Sequence, residues 1–154
     1  MKLAMIGLGK MGANMALRLA GDAHQIVAYD VQAQTVDALA AQHEGIQPAH
    51  DPAAVISLLA KPRVIWLMVP HRFVDASIDE LLAAGLEPGD LVVDGGNSNY
   101  KLSRERAARL ARDGIHFVDC GTSGGVWGLE NGYSLMVGGT REAVALLQPA
   151  LRSL

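Results

Sequence analysis

Gly7-Leu8-Gly9-Lys10-Met11-Gly12 is the segment of this chain best suited to hold a charged small molecule. It follows a short apolar run and opens an amphipathic stretch, which is the context the G-x-G-x-x-G pattern requires. Gly7 permits a tight turn, Gly9 lets backbone approach a diphosphate, and Gly12 lets a helix pack closely on a strand. The helix start then offers unpaired N–H groups and a partial positive charge to an anion. Asp30 lies 18 residues after Gly12, at the end of the next apolar run. That spacing suits a carboxylate accepting hydrogen bonds from an adenosine ribose. A carboxylate there also repels a 2′-phosphate. Val31 and Gln32 follow and supply no arginine to hold one. The residues therefore predict NAD in preference to NADP, held by residues 7–12, Asp30 and Val31. Two plainer readings are a glycine turn without a ligand and an Asp30 that caps the next helix; Asp30 is able to do both.

Further polar and glycine-rich segments fall at the ends of other apolar runs: Val69-Pro70-His71, Asp94-Gly95-Gly96-Asn97-Ser98, Gly121-Thr122-Ser123-Gly124-Gly125 and Gly132-Tyr133. Ligands of a doubly wound sheet bind beyond the carboxyl ends of its strands. Asn97, Ser98, Thr122 and Ser123 would offer neutral donors and acceptors to a polyhydroxylated or carboxylate substrate. Turn chemistry alone accounts equally well for Gly, Asn and Ser at such places. His71 is placed to border the nicotinamide pocket. His24, His43, His50 and His116 read as surface or internally satisfied residues. No histidine pair has helical ligand spacing and Cys120 is the single cysteine, so no metal site is expected. Cys120 lies in an apolar run and reads as a buried, inert thiol.

The elements that must carry these residues alternate. Strands are predicted at 3–6, 25–29, 46–49, 64–69, 91–93, 116–119 and 134–137. Helices are predicted at 11–20, 33–42, from Pro52 onward, 73–84, 103–112 and 141–147. Asp51 reads as a cap with Pro52 at the first helical position. Alternation of this kind gives an α/β fold with a doubly wound, mostly parallel sheet of the Rossmann dinucleotide-binding type. The 154 residues suffice for one domain. Half are hydrophobic, 19% are charged and the net charge is -3, which gives no reason to expect nucleic acid or an anionic membrane as partner. No apolar run reaches the length of a membrane span. One cysteine and no targeting segment fit a cytoplasmic setting.

Taken together, residues 7–15, Asp94-Gly95-Gly96-Asn97-Ser98 and residues 121–128 resemble 6-phosphogluconate dehydrogenase, in particular its shorter, NAD-preferring decarboxylating type. The resemblance covers essentially the whole chain. It implies that Asn97 contacts both substrate and nicotinamide. It further implies that Ser123, Gly124 and Gly125 hold substrate, and that Val69, Pro70 and His71 line the cofactor. The larger, NADP-using members resemble Asn-Arg-Thr where this chain has Asp30-Val31-Gln32, which agrees with the preference argued from charge. The implied reaction is oxidation and decarboxylation of 6-phosphogluconate to ribulose 5-phosphate, in the pentose phosphate pathway. The lysine and glutamate that act in it lie beyond the last segment of this chain, so no catalytic residue is assigned here. Glu130 does not match their motif and reads as a solvated loop acid.

The same resemblance implies an all-helical second domain, absent from residues 1–154, that completes the substrate site and makes a homo-oligomer. The isolated chain is then expected to bind NAD and turn over little substrate. Its apolar end, Leu147, Leu151 and Leu154, looks unfinished and is expected to be exposed, favouring self-association. Two other readings stay open: a 3-hydroxyisobutyrate-type dehydrogenase domain, which shares the glycine loop and a Ser-Gly-Gly, and a non-catalytic NAD-binding module.

Overall fold

Apolar runs bounded by turns become the strands of one seven-stranded sheet, because their side chains alternate between two separately filled layers. The structure is a computed structural model describing residues 1–154, apart from the side chain of Val126, which leaves that member of the 121–128 motif outside the described residues. The strands are β1 (Lys2–Ile6), β2 (Gln25–Tyr29), β3 (Ile46–Pro48), β4 (Val64–Leu67), β5 (Leu91–Asp94), β6 (His116–Ser123) and β7 (Ser134–Gly139). Their order is β3-β2-β1-β4-β5-β6-β7, with only the β6–β7 pairing antiparallel. The helices are α1 (Lys10–Gly21), α2 (Ala33–Ala40), α3 (Pro52–Leu58), α4 (Val74–Ala83), α5 (Tyr100–Arg112), α6 (Gly128–Asn131) and α7 (Arg141–Ser153).

Leu3 and Met5 of β1 and Trp66 of β4 face a layer built with Met15 and Leu19 of α1, Val36 of α2 and Leu147 of α7. Ala4 and Ile6, with Ile65 and Leu67, face the opposite layer, built with Val55 of α3, Ile78 of α4 and Leu110 of α5. Strands covered on both faces read as unbroken apolar runs, which is why β4 is so plain in the sequence. The fold is thus the expected α/β, doubly wound, mostly parallel sheet. The order runs outward in both directions from β1 and β4, so their carboxyl ends flank the point where the topology switches.

Several local expectations change. Residues 121–123 belong to β6 rather than to a loop, because β7 pairs antiparallel with Val118 to Ser123 and satisfies their backbone groups. Helix α5 begins at Tyr100, three residues early, since the Asn99 side chain accepts from the Lys101 amide at 2.9 Å and caps it. Asp51 caps α3 as its sequence predicts, accepting from the Ala54 amide at 2.7 Å.

The carboxyl end of the chain is the largest correction. Leu147 and Leu154 are buried and Leu151 packs partly against the same layer, so the apolar end is covered rather than exposed. Helix α7 runs through Pro149, beyond the expected end at residue 147. Burial of Leu147, Ala150 and Leu154, with Thr140 capping the first turn, outweighs the amide that proline lacks. Polar contacts complete the seam: the Arg18 guanidinium donates to the carbonyls of Ser153 (2.9 Å) and Leu129 (3.0 Å), and the Tyr133 amide donates to the Leu154 carbonyl (2.6 Å).

His24 belongs to this seam, with Nδ1 3.1 Å from the amino terminus and Nε2 2.8 Å from the Ser153 hydroxyl. Burial and the neighbouring amino terminus hold its imidazole below the ordinary histidine value, against a smaller pull from Asp22. A lowered folded value means that the unfolded chain takes up the proton first as pH falls. The stabilisation is present above about pH 6.5 and is lost as pH drops through the folded value. The midpoint of thermal unfolding should therefore fall more steeply between pH 7 and pH 5 in the native chain than in His24→Gln. Parallel curves for the two proteins would remove His24 from the acid response.

Candidate functional site

A cleft of about 680 Å³ opens where β1 and β4 end. Gly7 turns the chain from β1 into α1 at φ +89°, a conformation that glycine adopts readily. A side chain there would also press on the backbone of Met68, with a Cβ 2.8 Å from its carbonyl carbon. Gly12 is the second close approach, since a Cβ on it would overlap the Gly7 carbonyl oxygen and lie 3.1 Å from Met68 Cβ. Gly9 is the N-cap of α1 and brings no side-chain cap. The Gly7 amide donates to the Tyr29 carbonyl and the Leu8 amide to the Asp30 carboxylate. Among the described residues no protein acceptor meets the amides of Gly9, Lys10, Met11 or Gly12. Four N–H groups at a helix start, unopposed by an acid in the first turn, make a seat for an anion.

Asp30 closes one end of the cleft. Its carboxylate accepts from the Leu8 amide at 2.8 Å and from the Gln32 amide at 3.0 Å, so it braces the glycine loop and the entry to α2 together. A carboxylate offers about four acceptor positions, so two remain beyond these amides. Asp30 and the exposed Val31 both line the cleft. The donor set fits a diphosphate joined to a sugar with free hydroxyls.

Val69, Pro70 and Asn97 line the other end. Asn97 sits at φ +54°, and its side-chain amide is held on both sides by Thr122: Nδ2 donates to the Thr122 carbonyl at 3.3 Å, and Oδ1 accepts from the Thr122 amide at 3.0 Å. That pair ties the turn after β5 to β6. Gly7, Gly9, Met11, Asp30, Val31, Val69, Pro70 and Asn97 thus share one cleft, as expected residues brought together. Leu8, Lys10 and Gly12 support its glycine loop without lining it. His71 is exposed in a short 3-10 turn between Pro70 and Phe73. Ser123 ends β6, Gly124 and Gly125 follow it, and none of the three borders the cleft. Gly124 packs against Tyr133, where a Cβ would fall 2.7 Å from the ring.

Sequence reasoning missed a whole wall. Phe73, Ala76, Ser77 and Glu80 line the cleft from the start of α4 and its preceding turn. Their i, i+3, i+4, i+7 spacing was visible, but it reads as one face of any helix. Val74, Ile78 and Leu81 form the buried face instead. Small and polar residues at a core-like spacing, on the helix after a central strand, were the available signal.

A second missed feature is Arg106, which reads as one more arginine of a polar helix yet is only 3% exposed. It donates to Asp75 at 2.9 and 2.6 Å, to Asp94 at 3.0 Å and to the Ser98 hydroxyl at 2.9 Å. Its hydrogen bond holds the Asp75 carboxyl below the usual carboxylate range, and the acidic partners push the guanidinium up. Asp94 is fully buried, and its other oxygen accepts from the Gly96 amide at 3.0 Å. Cys120 is buried, and burial pushes its thiol up to about 11, so it is held as the neutral thiol. Among the described residues no group of three or more His, Cys, Asp or Glu could hold a metal ion, and no helix is long and apolar enough to cross a membrane.

A doubly wound sheet, a glycine turn with free amides at its switch point, and an acid at the end of β2 define a Rossmann-like dinucleotide-binding domain. Comparison with known proteins makes this specific. The chain belongs to the family described as the NAD binding domain of 6-phosphogluconate dehydrogenase, whose model matches residues 2–154. An NAD(+)-dependent, decarboxylating 6-phosphogluconate dehydrogenase of Haloferax volcanii is 43% identical over 150 residues, 97% of this chain and 48% of that protein. Among solved structures, a Plasmodium falciparum 6-phosphogluconate dehydrogenase is 26% identical with a TM-score of 0.89, over 98% of this chain and 33% of its own. A 3-hydroxyisobutyrate dehydrogenase of Mycobacterium tuberculosis is 28% identical with a TM-score of 0.81, over 99% of this chain and 51% of its own. The chain spans about half the length of the first curated relatives it matches.

Proposed function

We propose that this chain binds NAD in preference to NADP and is the cofactor-binding part of an oxidoreductase that oxidises and decarboxylates 6-phosphogluconate or a close phosphosugar acid. The carrying observation is the cleft that joins four free amides at the α1 start to the Asp30 carboxylate. The amides would take the diphosphate, and the unused acceptor positions of Asp30 the adenosine ribose. The other half of the dinucleotide would lie across the switch point, toward Pro70, Gly96 and Asn97. Asn97, Ser123, Gly124 and Gly125 would meet substrate. NAD would supply a hydride acceptor. These residues would bind and orient; the lysine and glutamate that move protons in the resembled reaction would sit on a helix after a further strand, and a separate all-helical domain would complete the substrate site and make the homo-oligomer.

The cofactor preference is open to a direct test. A 2′-phosphate brought against Asp30 would cost several kcal/mol, and each 1.4 kcal/mol is tenfold in affinity. Calorimetry should show NAD bound about a hundredfold more tightly than NADP by the native chain. The double variant Asp30→Asn, Val31→Arg should bring the two within about tenfold of each other, because it removes the repulsion and adds a guanidinium. An unchanged ratio would unseat Asp30 as the selector, and no heat with either nucleotide would end the dinucleotide reading. The likeness to 3-hydroxyisobutyrate dehydrogenase supports a second substrate, a short β-hydroxy acid. Turnover of 6-phosphogluconate against 3-hydroxyisobutyrate by the complete protein separates the two.

A further inference from the structure

The wall of the cleft opposite Asp30 is made of turns that lie outside the strands. Pro70 belongs to the turn before α4, and Gly96 and Asn97 to the turn after β5. Each is anchored from behind by the same guanidinium. Arg106 reaches Asp75 in the first turn of α4, and its Nη2 lies 3.5 Å from the His71 carbonyl. It also reaches Asp94 at the end of β5 and the Ser98 hydroxyl next to Asn97. Asp94 in turn fixes the Gly96 amide, and Asn97 locks onto Thr122 of β6. One planar cation with five fixed donors therefore sets the positions of two strand-end segments at once. A lysine, with its single nitrogen, could not span them.

Building on the dinucleotide reading, we infer that Arg106 is a positioning residue for the nicotinamide side of the cleft: through Asp94 and Ser98 it holds the Gly96-Asn97 turn, and through Asp75 the Pro70-His71 turn, in the shape that receives the second half of the cofactor. Arg106 lies behind these turns and does not line the cleft. The glycine loop and Asp30 are braced separately, by Leu8, Gln32 and Tyr29. Loosening Arg106 should thus affect one half of the cofactor and spare the other.

ADP, which carries the adenosine and diphosphate alone, reports the spared half, and NAD reports both. In calorimetry, Arg106→Lys should weaken NAD at least tenfold while ADP stays within about twofold of the native value. Ser98→Ala removes one arm without burying a lone charge, and should weaken NAD a fewfold with ADP unchanged. In amide NMR spectra of either variant, the Asn97 side-chain amide and the Thr122 backbone amide should shift, and the Leu8 amide should not. Loss of NAD and ADP in equal proportion in Ser98→Ala, or no change in either ligand in both variants, overturns the inference. So do unmoved Asn97 and Thr122 signals. If Arg106→Lys fails to fold, the Ser98→Ala results decide alone. A native chain that binds neither NAD nor ADP overturns the reading of function first, and this inference falls with it.

Discussion

Gly12→Ala should lower the stability of this chain, although alanine is the better helix former. The substitution gains about 1 kcal/mol in helix propensity. Against that, the added methyl overlaps the Gly7 carbonyl oxygen and presses on Met68 Cβ at 3.1 Å. Neither neighbour can withdraw easily. Gly7 is held by the hydrogen bond its amide donates to the Tyr29 carbonyl, and its own turn lies against the Met68 backbone. Overpacking of a tight contact costs about 1–3 kcal/mol, and a backbone obstacle belongs at the upper end. A net loss of about 2 kcal/mol is expected, read as a lower urea midpoint with an unchanged slope. Because α1 must move away from β1 to relieve the overlap, the free amides lose their aim and nucleotide binding should weaken with stability. Gly9→Ala is the contrast: a Cβ there meets nothing within 4 Å, so the fold should tolerate it. Equal stability of Gly12→Ala and the native chain would show that the helix–strand crossing has slack the geometry does not display.

A larger loss is expected from Asp90→Ala, at the opposite end of the sheet from the cleft. Asp90 is fully buried at the turn into β5. Its carboxylate accepts from the Arg63 amide (2.8 Å), the Glu87 amide (3.0 Å) and the Arg63 guanidinium (2.8 Å). Alanine leaves two amides without this acceptor and removes the most buried partner of Arg63. Breaking a buried ion pair on one side costs about 3–5 kcal/mol. Arg63 keeps the Ile56 carbonyl and Glu87 at longer range, 3.2 and 3.4 Å, which argues for the lower end. About 3 kcal/mol corresponds to roughly 6–12 °C in thermal midpoint for a chain of this size. Lys61→Ala supplies the comparison, because the Lys61–Glu87 pair is solvent-exposed and such pairs contribute at most about 1 kcal/mol. Similar midpoints for Asp90→Ala and Lys61→Ala would mean that burial of the Asp90 carboxylate adds nothing.

These two positions also mark what could be read in advance. Gly12 was legible because its requirement is local: a fixed spacing from Gly7, a strand before and a helix after. Asp51 was legible for the same reason, as a cap acts within three residues. Asp90 carries no such local signal, because its main partner is Arg63, 27 positions away. Arg106 was hidden more deeply. Its partners come from α4, from the end of β5 and from the following turn, and nothing in a run of arginines and alanines distinguishes the one that turns inward. The wall of Phe73, Ala76, Ser77 and Glu80 escaped because helical spacing does not say which face meets a sheet and which meets a cleft.

The amino-acid sequence alone determined the kind of sheet, the glycine turn and the acid at the end of β2. Each depends on short-range periodicity or on fixed steric demands of glycine, which travel with the residues themselves. Only the tertiary structure decided that Leu154 is covered, that β7 pairs antiparallel and lengthens β6, and that Arg106 gathers two turns behind the cleft. Those outcomes depend on which surfaces meet across the folded chain, and a buried charge or an apolar end is placed by partners distant in sequence.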